Sequence, residues 1–126
     1  MSFDKDKFAT YLRKNAKPHS QSRCARALRQ ALEAGGASTK GHPVDAKAYG
    51  PTLERNGFYV ISMTTLDAYV PMKGDVVVFD AHPRGNSAGH IQAYDGRGWI
   101  SDFTQRGFWP GPGYERKEAV YVVYRR

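Results

Sequence analysis

The sequence predicts a single α+β domain, spanning 1–126, in which N-terminal helices pack on an antiparallel β-sheet. Helical spacing of apolar residues dominates the first third of the chain, and short strand-like alternations follow, which is the order typical of this fold class. The 126 residues correspond to one domain, and 40% hydrophobic residues are enough for one core. Because the chain has 1 cysteine, no internal disulfide supports that core.

A first amphipathic helix is predicted from Asp4 to about Asn15. Phe8 and Leu12 recur at helical spacing, and charged residues occupy the opposite side. Pro18 then breaks the pattern, because proline cannot continue a helix.

A second helix is predicted from Cys24 to Ala34. The polar stretch before it, from His19 to Ser22, offers N-cap side chains, and Gly35-Gly36 provides a left-handed stop after it. We therefore expect the Cys24 thiol in the first helical turn, on the buried edge. The apolar stripe of this helix consists of Cys24, Ala27, Leu28, Ala31 and Leu32.

The rest of the chain is predicted to form mainly strands joined by turns. Glycine and proline separate short apolar runs, and Asp95-Gly96 is a hairpin signal between two of them. The predicted elements are a loop over 37–44, a short helix from Asp45 to about Asn56 interrupted near Gly50-Pro51, a turn and strand over 57–61, a turn at 72–75, strands at Val76–Phe79, Gly89–Tyr94, Trp99–Phe103 and Ala119–Tyr124, and a loop from Gly107 to Gly113.

The positive charge of the chain favours an anionic partner. Lysine and arginine total 19 against 12 acidic residues, which gives a formal net charge of +7. Nucleic acid and an anionic cell-wall polymer both fit that charge, although the sequence lacks the motifs of the common nucleic-acid-binding modules. No apolar run approaches the roughly 20 residues of a membrane-spanning helix. The N-terminus lacks the apolar core of a secretory signal, so we expect no export by the general route.

Cys24, His90 and Asp102 are the candidate catalytic residues. At a helix start, unpaired N–H groups and the helix dipole favour a thiolate, which predicts fast alkylation of Cys24 at neutral pH. His90 is on the first strand of the predicted hairpin and can serve as the base if its ring faces the cysteine helix. Paired residue numbers in that hairpin sum to about 193, so His90 lies opposite Phe103, and a register shift of one residue brings Asp102 onto its face. The alternative is that Cys24 and His90 are core residues of a basic module that binds nucleic acid.

Three segments together resemble one group of hydrolases. They are Ser22–Leu32 (SRCARALRQAL), Met72–Phe79 (MKGDVVVF) and Gly89–Gly96 (GHIQAYDG), in that order. The set is similar to the papain-like CHAP and NlpC-type peptidoglycan hydrolases, over roughly residues 18–105. This resemblance implies a papain-like fold with the nucleophile at the start of a helix.

The resemblance also implies a reaction. Cys24 is the nucleophile, His90 is the general base and then the general acid, and Asp102 is the polar third residue, for which Ser101 and Gln105 are alternatives. The implied chemistry is hydrolysis of an amide bond in the peptide of peptidoglycan through a thioester, with no cofactor and no metal.

Further residues are candidates for oxyanion stabilisation and substrate binding. The backbone N–H of Cys24 is the first expected oxyanion donor, and Gln21 or a neighbouring backbone group is the second. Aromatic residues near the hairpin are candidates for lining a cleft, although core packing explains them as well. They are Trp99 and Trp109, with Tyr94 and Phe108.

The biological setting that the resemblance implies is a small amidase effector of the kind that bacteria inject into rivals by type VI secretion. A phage lytic enzyme equally lacks an export signal. An injected toxin requires an immunity protein that plugs its cleft in the producing cell. We expect a monomer, made in the cytoplasm, that acts on peptidoglycan in the periplasm or wall of a target bacterium and does not bind nucleic acid. A cysteine protease acting on proteins shares the chemistry and is a further alternative.

Overall fold

The computed structural model describes residues 3–62, 66–82, 87–111 and 119–126. Its first two helices, α1 (Lys5–Asn15) and α2 (Cys24–Ala34), match the segments that apolar spacing predicts. Gly36, just past the end of α2, has φ of 102°, which is the left-handed geometry expected of a helix stop. In the described residues, no helix is both long and apolar enough to cross a membrane.

A short irregular helical segment follows α2. It consists of a 3-10 turn at Ala46–Ala48 and the helix α3 (Gly50–Arg55). Pro51 occupies the first turn of α3, where its missing N–H costs no helical hydrogen bond. The predicted interruption near Gly50-Pro51 is therefore confirmed.

Five strands of the described chain form one sheet in the order β1-β5-β2-β3-β4. Each neighbouring pair is antiparallel, which confirms the predicted α+β class. The predicted loop from Gly107 is described as far as Gly111, and its residues 112 and 113 lie outside the described residues. The strands are β1 (Tyr59–Val60), β2 (Val76–Phe79), β3 (His90–Tyr94), β4 (Trp99–Ile100) and β5 (Tyr121–Arg125).

The two faces of this sheet are covered differently. Helices α1 and α2 pack on one face, where Leu28 and Leu32 join Ile91 of β3 in the main core. An aromatic layer covers the other face. Because successive side chains of a strand point to opposite faces, His90 and Gln92 lie on the side opposite Ile91, with Phe79 beside the His90 ring at 5.8 Å between centroids. The aromatic layer contains Phe79, Trp99, Phe108, Trp109 and Tyr121.

The β3–β4 hairpin has the register that the sequence predicts. Ala93 pairs with Ile100 and Tyr94 with Trp99, so the paired numbers sum to 193. Gly96 has φ of 97°, which a side chain would strain, so the turn falls at the predicted Asp-Gly pair. However, β4 ends at Ile100 and does not continue to Phe103.

Asp75, in the turn before β2, ties the sheet together. Its buried carboxylate accepts two hydrogen bonds of 2.9 Å from Arg125 of β5. It also accepts a bond of 2.6 Å from the Tyr69 hydroxyl and one of 3.0 Å from the Met72 N–H. These bonds engage both carboxylate oxygens, so Asp75 stabilises the predicted turn at 72–75.

Candidate active site

Cys24 and His90 line one small cavity. Cys24 is the first residue of α2 and His90 is the first residue of β3, and the cavity between them has a volume of about 140 Å³. The structure thus brings together the two residues expected to exchange a proton. The remaining walls are formed by Ser20, Ser22, Asp102, Phe103 and Pro110.

Gly89 determines how the chain enters β3 at His90. It has φ of 78°, a conformation that side chains rarely adopt. A Cβ at this position would meet the Phe79 carbonyl oxygen and lie 2.6 Å from the Lys47 Cβ. The glycine before the histidine is therefore a steric requirement for placing the His90 ring.

A chain of side-chain amides holds the His90 ring. The Nε2 of His90 lies 2.9 Å from the Oε1 of Gln105. The Nε2 of Gln105 donates to the Oε1 of Gln92 at 2.9 Å and to the Gly107 carbonyl at 3.0 Å. The Nε2 of Gln92 donates to the Phe108 carbonyl at 2.7 Å. This series of hydrogen bonds therefore ends on two backbone carbonyl oxygens, which can only accept.

These two carbonyls determine which atom donates in each hydrogen bond between the glutamines and His90. Each glutamine must present its NH₂ group to a carbonyl, so the Gln105 oxygen faces His90. That oxygen can only accept, so the Nε2 of His90 carries the proton. The neutral ring then has its lone pair on Nδ1, which is the nitrogen available as a base.

Asp102 binds the loop that leads into α2. One carboxylate oxygen accepts the Gln21 N–H at 2.7 Å and the Arg23 N–H at 2.9 Å. These bonds bracket Ser22, the one non-glycine residue with positive φ, 56°, in the described chain. The other oxygen accepts the Ser101 hydroxyl at 3.4 Å. Asp102 thus fixes the turn that presents Cys24, while Gln105 accepts the hydrogen bond from the histidine.

The path of the chain after β4 explains why Gln105, and not Asp102, accepts the hydrogen bond from His90. The sequence count assumes that the strand continues to Phe103, opposite His90. Instead Ile100 pairs with both Ala93 and Thr104, so the chain folds back tightly after Ser101. The fold-back turns Asp102 toward the start of α2 and returns Gln105 to the side of His90. The predicted register of the β3–β4 hairpin is confirmed, but β4 ends three residues earlier than predicted, and this changes the positions of Asp102 and Gln105.

Burial sets the protonation states of the two central groups. It raises the pKa of the Cys24 thiol above its usual 9.0, with the Asp102 charge in the same direction and the Ile91 N–H in the opposite one. Burial also lowers the pKa of His90 below its usual 6.5, against the opposing effects of Gln105 and Asp102. The pair at neutral pH is thus a thiol and a neutral imidazole. Burial thus opposes the thiolate that the helix N-terminus favours, and its effect on the pKa of Cys24 is larger than that of the N–H groups.

The remaining predicted site residues lie outside the cavity. The Gln21 N–H donates to Asp102 and its side-chain amide donates to the His19 carbonyl, so both are engaged. Trp99 is only 6% exposed and packs in the aromatic layer, and Trp109 lies against the same layer. Within the described parts of the chain, no three histidine, cysteine or acidic side chains are grouped to hold a metal ion.

Gln92 is the site residue that sequence reasoning missed. It is wholly buried in β3, two residues after His90, and shares its face of the sheet. A buried polar side chain must find partners, so a glutamine in an otherwise apolar strand is the signal that indicates a hydrogen-bond network. The sequence offers Gln105 as an alternative third residue only because it lies near Asp102 along the chain.

Two solved structures resemble the chain along nearly its whole length. One is the native type VI effector–immunity complex Tae3–Tai3 from Ralstonia pickettii, with 41% identity, a TM-score of 0.86, and coverage of 98% of each chain. The other is the selenomethionine form of that complex, with 42% identity, a TM-score of 0.83, and coverage of 94% of this chain and 99% of that one. No protein-family model matches the chain, and no curated protein is significantly similar to it. In both structures the similar chain is the effector, and the chain belongs to the Tae3 family of type VI effectors.

Proposed function

We propose that the protein is a papain-like cysteine amidase that hydrolyses the peptide of bacterial peptidoglycan. The observation that carries this proposal is the pairing of Cys24, at a helix start, with a His90 ring held in one tautomer by Gln105. A nucleophile, a base and a group that orients the base are the minimum set for acyl transfer by a thiol.

The reaction begins from a neutral thiol and a neutral imidazole. The Nδ1 of His90 takes the thiol proton as the Cys24 sulfur attacks the amide carbon. The carbon–nitrogen bond then breaks, and the imidazolium returns the proton to the leaving amine. In the second half, His90 takes a proton from water, whose oxygen attacks the thioester, and the carbon–sulfur bond breaks with the proton returning to sulfur. General base catalysis of this kind typically contributes about 10²–10⁴-fold.

Asp102 is a positioning residue in this mechanism. Its bonds to the Gln21 and Arg23 N–H groups hold the turn at Ser22 immediately before the nucleophile. With those N–H groups engaged, the Cys24 N–H is the oxyanion donor that we propose, since N–H groups of a first helical turn have no partner within the helix. An oxyanion donor of this type contributes about 3 kcal/mol to stabilising the transition state.

An antibacterial role is supported by the similarity to the Tae3 effector. Because both similar structures are complexes of effector with immunity protein, we propose that this protein also has a cognate immunity partner. Delivery by type VI secretion would bring the enzyme to the periplasm of a target cell, where peptidoglycan lies. The net charge of +7 favours approach to that anionic polymer.

The test is digestion of purified peptidoglycan by the wild type and two variants. We expect Cys24→Ala and His90→Ala each to abolish the release of soluble fragments, measured by liquid chromatography and mass spectrometry. The matched control is His19→Ala, which removes an exposed imidazole outside the cavity and should keep full activity. Circular dichroism checks that each variant is folded.

Two results would contradict the proposal. Wild-type rates in the folded Cys24→Ala variant would exclude the thiol as nucleophile. Hydrolysis of unrelated protein substrates, with peptidoglycan left intact, would keep the chemistry and assign the enzyme to the protein-directed proteases instead.

A further inference from the structure

A second cavity adjoins the nucleophile, and His90 is not among the residues that line it. This basic groove has a volume of about 400 Å³ and shares Ser22 and Cys24 with the smaller cavity that contains His90. The first turn of α2 therefore lies where the two cavities meet. The other groove walls are formed by Arg23, which directly precedes α2, by Ala25, Arg26 and Arg29 of α2, by the segment His42–Val44 with Ala46, and by Ala88 and Gly89.

The charge of the basic groove is one-sided. Three arginines line it, and its described lining includes no aspartate or glutamate. Arg26 and Arg29 are three residues apart and so project from the same face of the helix. In the described chain the guanidinium groups of Arg23 and Arg26 have no hydrogen-bond or ion-pair partner. Arg23 and Arg26 thus present positive charge to the groove that no acidic side chain of the described residues neutralises.

Arg29 is the arginine of the groove whose side chain has polar contacts within the protein. It lies at the limit of ion pairing with Glu33, at 4.0 Å, and Glu33 also accepts a hydrogen bond from the Thr39 hydroxyl. Its guanidinium lies beside the buried Tyr49 hydroxyl, whose pKa it lowers against the larger rise caused by burial. A partly ordered guanidinium loses less side-chain freedom when it binds an anion.

The proposed mechanism decides which part of a substrate would reach the basic groove. His90 must protonate the leaving amine, so the amine fragment extends into the cavity that His90 lines. The acyl fragment is bonded to the Cys24 sulfur, and the basic groove, which shares Cys24 but is not lined by His90, can hold it beside Arg26 and Arg29. An acyl fragment with a free carboxylate would meet those guanidinium groups, which bind carboxylates through paired hydrogen bonds.

We propose that the basic groove is a subsite for a carboxylate on the acyl side of the scissile amide, bound by Arg26 and Arg29. The inference rests on the proposed function and deepens it, since it specifies which side of the substrate must be anionic. It predicts that the enzyme selects peptides by a charge that lies outside the reacting bond.

The experiment uses a synthetic peptidoglycan stem peptide whose carboxylates are converted to carboxamides one at a time. For the wild type, amidation of one carboxylate on the acyl side of the cleaved bond should lower kcat/KM about tenfold, because a charge-assisted hydrogen bond is lost. Amidation on the amine side should change it far less. In Arg26→Gln/Arg29→Gln the acid and the acyl-side amide should be hydrolysed at similar, low kcat/KM, with the loss mainly in KM.

The matched control is Lys14→Gln/Arg97→Gln, which removes the same charge from exposed positions outside the basic groove. It should keep the wild-type preference for the acid. Arg26→Gln alone provides a second variant if the change at the half-buried Arg29 impairs folding, because Arg26 has no partner in the described chain to lose.

Binding to Cys24→Ala separates the subsite from the chemistry. Calorimetry should give tighter binding of the acid than of the acyl-side carboxamide, and the difference should shrink at high salt. Equal hydrolysis and equal binding of the two peptides would overturn the subsite and leave the amidase function intact. Tight, charge-dependent binding without any hydrolysis by the wild type would overturn the proposed function and retain the subsite as a carboxylate-binding site.

Discussion

Replacing Gln105 with leucine tests the hydrogen-bond chain that orients the catalytic base. The side chain is only 8% exposed, and leucine has a similar size. The change removes the acceptor for the Nε2 proton of His90 and leaves the Gly107 carbonyl and the Gln92 oxygen without their donor. We therefore expect a loss in both ring orientation and stability.

The size of each loss follows from the number of bonds removed. One buried hydrogen bond contributes about 1 kcal/mol net, so kcat/KM should fall roughly five- to tenfold as the His90 ring loses its fixed tautomer and orientation. The unpaired acceptors should lower the free energy of unfolding by about 1–3 kcal/mol, measured by urea denaturation.

The assays are peptidoglycan hydrolysis and nitrogen NMR of the histidine ring. In the wild type, the ring nitrogen signals should report a proton on Nε2, and this preference should weaken in Gln105→Leu. Gln30→Leu is the matched control, since Gln30 is half-buried on α2 and makes no hydrogen bond in the described chain. A Gln105→Leu enzyme with wild-type kcat/KM, or a wild-type ring protonated on Nδ1, would refute the reasoning.

Four further predictions concern the same site. The kcat/KM of the wild type should begin to fall on the acid side only below pH 6.5, because His90 must be neutral and burial lowers its pKa. On the alkaline side it should fall only above pH 9, because burial raises the pKa of Cys24. Gln105→Glu should move the acid limb to higher pH, because a carboxylate stabilises the imidazolium and raises the pKa of His90; an unmoved limb would argue against their contact. Asp102→Ala should lower kcat about tenfold by releasing two N–H groups of the turn before Cys24, whereas Asp102→Asn should keep most activity, as steady-state kinetics would show. Iodoacetamide should modify Cys24 slowly at pH 7, followed by intact-protein mass spectrometry, and rapid alkylation would indicate a thiolate instead.

Local patterns were enough to predict the helices and the hairpin. Apolar spacing located both helices, and the Asp-Gly turn set the β3–β4 register, because these features depend on neighbouring residues. The α+β class followed from the order of those elements.

Side-chain roles were harder to predict because they depend on how the chain folds back after β4. No sequence pattern marks the end of that strand at Ile100. This end turns the Asp102 carboxylate toward the Gln21 and Arg23 N–H groups and brings Gln105 to the His90 ring. The thiolate predicted at Cys24 is opposed for a related reason. Helix position is visible in a sequence, whereas the burial that outweighs it is a property of the packed protein.

The most direct test of the central claim is to trap the acyl-enzyme. Wild-type protein is mixed with a peptidoglycan stem peptide, quenched in acid after a short interval, and examined by intact-protein and peptide-mapping mass spectrometry. We predict an adduct with the mass of the acyl fragment on Cys24, removable by hydroxylamine and missing in Cys24→Ala. Turnover of the peptide with no adduct on Cys24, together with an active Cys24→Ala variant, would contradict the thioester mechanism.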